Sequence, residues 1–138
     1  MNTINMQDIR HLNLFNQITK IHTRFYAQYN GAIIFCIPQE FVMKAVGREG
    51  ENIKRLREIL GKKIRIIQMP RGLQDARGFI QTIIKPVIFK DLEIRANEIV
   101  ITAGNMQNKA ALIGRNKVRL VELQKIVKDF FGKDLKIL

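Results

Sequence analysis

Serine is absent from all 138 residues, and there is one cysteine. The first absence removes every serine nucleophile and the usual ending of a Gly-x-x-x-x-Gly-Lys-[Ser/Thr] phosphate loop. Cys36 has no partner for an internal disulfide, which points to a reducing compartment. It sits inside the apolar run Ala32-Ile33-Ile34-Phe35-Cys36-Ile37, where a core position is expected. The two histidines, His11 and His22, have no cysteine or carboxylate at ligand spacing. No metal and no cofactor is therefore expected, and both histidines read as surface or capping residues. Glu49 and Glu51 are a carboxylate pair only in sequence, flanked by cations. Nothing here assembles an acid and a base, so an enzyme is not expected. Long apolar runs are missing as well. None approaches the roughly 18 residues of a membrane-spanning helix, and Met1 to Asn5 lacks a basic leader segment. A cytoplasmic protein without a membrane partner is expected.

Cations are plentiful. Lys and Arg number 24 against 12 Asp and Glu, a net charge of +12. The excess is even: 11 cations against 5 carboxylates in residues 1–70, and 13 against 7 in residues 71–138, or +6 each. A basic tail would load one end, so the even split suggests two units facing one polyanionic partner. With 46% hydrophobic residues the chain is equipped to bury a core, and its length suits two small units of about 70 residues.

Two segments repeat. Val46-Gly47-Arg48-Glu49-Gly50-Glu51-Asn52-Ile53 is echoed 67 residues on by Ile113-Gly114-Arg115-Asn116-Lys117-Val118-Arg119-Leu120. The first is a complete Gly-x-x-Gly loop opening a basic amphipathic helix (Ile53, Leu56, Ile59, Leu60). Glycines there let the backbone turn tightly and approach a phosphate chain, while the helix N-terminus behind favours an anion. A helix is expected over 7–19 with Leu12, Phe15 and Ile18 inward, then a strand from about Ile21 to Tyr29, a turn at Asn30-Gly31 and a return strand Ala32 to Ile37. Pro38 opens a helix to Val46, and a helix 51–60 and a strand 63–69 follow the loop. Pro70-Arg71-Gly72 is the candidate boundary between units 1–70 and 71–138. The order then recurs: a helix with Ala76, Phe79, Ile80, Ile83 and Ile84 inward, ended by Pro86, and a strand Val87 to Arg95. Asn97-Glu98 stands in the place of Asn30-Gly31, before a strand Ile99 to Thr102, helices 105–113 and 118–131, and a closing strand at an offset of 71. Aligning Leu120, Leu123, Ile126 and Val127 with Ile53, Leu56, Ile59 and Leu60 argues against a deletion in the second loop. Lys117 therefore occupies the closing glycine's place, and its side chain is expected to hold the backbone away from a ligand.

In this order the chain resembles the archaeal NusA-like transcription factors, which consist of two type II KH domains. The resemblance rests on Leu14-Phe15-Asn16-Gln17-Ile18-Thr19, Gly47-Arg48-Glu49-Gly50 with Asn52-Ile53, Leu60-Gly61-Lys62-Lys63-Ile64, and Ile113-Gly114-Arg115-Asn116. It implies an α+β fold of two tandem type II KH domains, each a three-stranded mixed sheet with helices packed on one face. It also implies binding of single-stranded RNA, a role in transcription termination or elongation, and RNA polymerase as a partner. A monomer is expected. The alternatives are a ribosome-associated or RNA-processing KH protein, or a protein-docking adaptor with vestigial loops. The expected RNA contacts are Gly47, Arg48, Glu49, Gly50, Asn52, Lys54 and Arg55 in the first unit and Gly114, Arg115, Asn116, Lys117 and Arg119 in the second. Tyr26 and Tyr29, which might otherwise stack on bases, are expected to pack across strands.

Overall fold

Residues 5–138 are described by the computed structural model of the chain. They form an α+β structure with six helices and two three-stranded mixed sheets. The chain divides into two compact units, one ending at Met69 and the other running from Pro70 to Leu138.

In the first unit α1 (Met6–Thr19) starts at a reciprocal cap. Asn5 Oδ1 accepts from Asp8 N–H at 2.9 Å, and Asp8 Oδ2 accepts from Asn5 N–H at 3.2 Å. The helix ends at Lys20, which is left-handed at φ 64°. Strands β1 (Phe25–Tyr29) and β2 (Ala32–Ile37) pair antiparallel, and Tyr29 faces Ala32 across a two-residue turn. Asn30 and Gly31 both have positive φ there, which suits the right-handed twist of the strands. The expected β1 was longer. Before Phe25 the chain bonds locally instead: Thr23 Oγ1 donates to Cys36 O at 2.7 Å and accepts from Phe25 N–H, so the ladder does not extend back to Ile21. After β2 come a 3-10 turn (Gln39–Phe41), α2 (Val42–Val46), the loop, α3 (Glu51–Leu60) and β3 (Lys63–Gln68), which runs parallel to β2.

One sheet face forms the core with the helices. Phe15 of α1 stacks on Phe35 of β2 at 4.4 Å between centroids, and Ile33, Ile37, Ala45, Leu56, Ile64 and Ile66 close around them. Every residue of β2 is buried, including Cys36, whose thiol burial pushes up to about 12.

The second unit repeats this order. A 3-10 turn (Leu73–Asp75) leads into α4 (Ala76–Ile84), β4 (Asp91–Ile94), β5 (Glu98–Thr102), α5 (Met106–Ile113), α6 (Val118–Phe131) and β6 (Asp134–Ile137). β4 is antiparallel and β6 parallel to β5. The expected strand Val87 to Arg95 is shorter because Val87 N–H donates back to Ile84 O, leaving the chain to join the ladder near Lys90. The hairpin turn also lies one residue earlier than expected. Phe25 pairs with Cys36 and Asp91 with Thr102, so the strands repeat at an offset of 66, and Ala96-Asn97, not Asn97-Glu98, takes the place of Asn30-Gly31. Lys133 Nζ donates to Arg95 O and Ala96 O at 2.8 and 2.7 Å, tying this turn to the start of the closing strand.

His11 corrects the expectation of a surface or capping role. It is only 8% exposed, and its Nδ1 lies 2.6 Å from Tyr26 Oη, which also accepts from Gln28 Nε2. Burial lowers the imidazole's pKa from 6.5, opposed by Asp8 and aided by Lys62. Burial also pushes Tyr26 up to about 12. The two rings therefore meet as neutral hydrogen-bond partners, imidazole against phenol. Because the folded pKa is depressed, the unfolded chain takes the proton first. The contribution of His11 to stability is complete above 6.5 and falls as pH drops through that value. We expect the denaturation midpoint to decline between about pH 7.5 and 5.5, and His11→Gln to flatten that part of the profile. Urea titrations of both proteins check this, and parallel profiles would refute it.

Candidate nucleic-acid interface

Both loops join two helices through a single 3-10 turn, Arg48–Gly50 after α2 and Arg115–Lys117 after α5. Their backbones follow the same path. Gly47 has φ 83° and ψ 168°, and Gly114 has φ 74° and ψ 171°. Glu49 (φ 56°, ψ 28°) matches Asn116 (φ 57°, ψ 25°), and Gly50 (φ 74°, ψ 21°) matches Lys117 (φ 62°, ψ 20°). Three of four positions in each loop are at positive φ. Side chains at 49, 116 and 117 hold that conformation against a cost of about 1–2 kcal/mol each.

The two glycines of the motif do different work. Gly47 and Gly114 lie in a region that is essentially glycine-only, with positive φ and ψ near 180°. They are also approached closely by the second residue of the following helix. A Cβ on Gly47 would stand 3.0 Å from Asn52 N, Cγ and Nδ2, and one on Gly114 would stand 2.9 Å from Arg119 Cγ. Gly50 has neither restriction beyond its left-handed φ, for a Cβ there meets nothing within 4 Å. Lysine at 117 is accommodated for that reason. The loss of the closing glycine leaves the second loop's backbone path unchanged, and what the lysine adds is an exposed side chain.

Side chains divide the two sites more than the backbone does. Arg48, Glu49, Lys54 and Arg55 are exposed, whereas Asn52 is half-buried against Gly47. In the second unit Arg115, Asn116 and Lys117 are exposed, while Arg119 is half-buried and its guanidinium donates to Ala111 O at 3.4 Å. The positions equivalent to Glu51 and Lys54 are Val118 and Val121, 55% and 59% exposed. Sequence reasoning passed over these valines, although the 67-residue alignment carries the signal. Unit one thus puts its cations on the helix and mixes charge in the loop; unit two puts cations in the loop and apolar surface on the helix. Among the described residues Arg48, Lys54, Arg55, Arg115 and Lys117 join no ion pair. The second unit's carboxylates are engaged elsewhere, for example Asp75, which three hydrogen bonds from Arg71 hold down to about 2. Neither α3 nor α6 has a side-chain cap on its N-terminus. Tyr26 and Tyr29 are buried and offer no stacking face. No group of three or more potential metal ligands occurs among the described residues, and no helix there is long and apolar enough to cross a membrane.

No family model matches the sequence. Two curated proteins do, both named "Probable transcription termination protein NusA". The one from Methanococcus vannielii is 27% identical over 100 residues, covering 71% of this chain and 56% of its own length. The one from Methanocaldococcus jannaschii is 25% identical over 125 residues, covering 88% and 67%. The chain is similar to archaeal NusA. A crystal structure of APE1850 superposes on this chain with a TM-score of 0.65 at 24% identity, covering 98% of this chain and all of the other, which shows a shared fold.

The unequal glycines give a direct expectation. Gly47→Ala must leave its backbone region and displace Asn52, and should lose about 2–3 kcal/mol of stability, against about 1 kcal/mol for Gly50→Ala. Urea midpoints compare the two, and equal losses would contradict the assignment of tasks.

Proposed function

We propose that the chain is an RNA-binding protein of transcription termination or elongation. In this reading residues 1–70 and 71–138 are two type II KH domains that hold single-stranded RNA at Gly47 to Gly50 and Gly114 to Lys117. The observation that carries it is the preservation of one strained backbone in two loops of different sequence. Such conformations persist where the surrounding structure enforces them, and they cluster at ligand sites. Uncapped helix N-termini stand behind both loops, where amides and the helix dipole favour an anion. Cations without ion-pair partners flank them: Arg48, Lys54 and Arg55 in one unit, Arg115 and Lys117 in the other.

The order of elements agrees with the KH reading, and the names of the curated relatives supply the transcription context. The chain spans only 56% of the length of one relative and 67% of the other, so activities of the whole relatives bear on it only in part. RNA polymerase is the expected protein partner. A monomeric, cytoplasmic, non-enzymatic protein completes the proposal.

Affinity for single-stranded RNA should be micromolar or tighter. Its logarithm should fall against log salt with a slope of about −3 to −4, from four to six phosphates at roughly −0.7 each. Gly50→Asp should weaken binding by about 2 kcal/mol or more, Glu49→Gln should tighten it, and Lys117→Ala should lower the slope by roughly one contact. Filter binding across salt measures all three. A flat salt response, or equal affinity for an acidic polypeptide, would replace RNA by a protein partner, and copurification with ribosomes in place of polymerase would move the protein to another machine.

A further inference from the structure

Arg119 stands two residues beyond the second loop, where a cation would ordinarily be assigned to a phosphate. Its geometry gives it another task. The stem lies under Gly114, so closely that a Cβ on that glycine would be 2.9 Å from Arg119 Cγ and 3.0 Å from its Cβ. The guanidinium turns back across the loop to donate to Ala111 O in the last turn of α5. One side chain thereby bridges the helix before the loop and the helix after it. The equivalent residue in the first unit, Asn52, packs on Gly47 but is too short to span the same distance.

The difference coincides with the glycine content of the two loops. In the first, Glu49 is the one side chain held at positive φ, because position 50 is glycine. In the second, Asn116 and Lys117 are both held there. That extra strain falls on a loop secured internally by the bonds Lys117 N–H to Gly114 O at 3.1 Å and Val118 N–H to Arg115 O. A lysine without glycine's freedom needs an outside constraint to stay left-handed, and the brace from α6 to α5 supplies one.

We propose that Arg119 is a positioning residue. It clamps the α5–α6 junction so that the loop keeps its backbone without a closing glycine. Its link to RNA rests on the function proposed above, but the clamp itself is measurable without RNA.

The test is amide hydrogen exchange by NMR on the full chain, with circular dichroism as a check of the fold. Arg119→Ala should speed exchange at the Lys117 and Val118 amides by about tenfold or more relative to amides of β5, and adding Lys117→Gly should restore most of the protection. Asn52→Ala, the control, should change the Gly50 and Glu51 amides by less than about threefold. Should Arg119→Ala fail to fold, Arg119→Met keeps the stem under Gly114 and removes only the bond to Ala111, and carries the same comparison with Lys117→Gly. Unchanged exchange in the arginine variant, or no rescue by Lys117→Gly, would overturn the clamp. In RNA titrations a clamp predicts that Arg119→Ala binds more weakly with an unaltered salt slope. A slope reduced by about 0.7 would instead make Arg119 a phosphate contact and overturn the proposal. Loss of protection in a protein that binds no RNA would uphold the clamp and reject the RNA function, so the two ideas fail separately.

Discussion

Everything distinctive in this chain depends on one close approach: the second residue of a helix lying against the backbone of a glycine that ends the turn before it. At Gly47 the neighbour is Asn52, and at Gly114 it is Arg119. That approach leaves no room for a Cβ, and the glycine's torsions, closed to other residues, carry the chain from one helix into the next. The strained residues between them follow from it. The exposed amino ends of α3 and α6 follow too, since a chain turned this sharply provides no capping side chain.

On this common backbone the two units carry different chemistry. The first alternates charge, with Glu49 and Glu51 among Arg48, Lys54 and Arg55. The second has Arg115 and Lys117 in the loop and exposes Val118 and Val121 on the first turns of the helix beyond it. Equal net charge on the two halves conceals this contrast, because where the charge sits decides what a ligand meets.

The order of elements was legible in the sequence because its signals are local. Periodic apolar residues marked α1, α3, α4 and α6, Asn30-Gly31 marked a hairpin, and the offset of 71 marked the longer last helix. Signals that depend on contacts far apart in sequence were not legible. Thr23 ends a strand by bonding to Cys36, thirteen residues away, and His11 is buried because Tyr26 reaches it from another element. The loops show the same division. Both glycines of the motif were visible, and sequence suggested they mattered alike; only the placement of Asn52 and Arg119 separates the glycine fixed by neighbours from the one fixed by its own torsion.

The unequal length of α3 and α6 has a consequence for how such a duplicated chain diverges. The later helix has 14 residues to the earlier one's 10. Four residues are close to one helical turn, or about 6 Å of rise. Leu123, Ile126 and Val127 are all buried, whereas Ile59, the counterpart of Ile126, is 58% exposed, and both helices end on a left-handed glycine, Gly61 and Gly132. Between these two units the length differs by about one turn, at the helix end away from the loop. At Gly47 and Gly114 a single methyl group is too much. The two units thus differ in reach and agree in the shape of the turn.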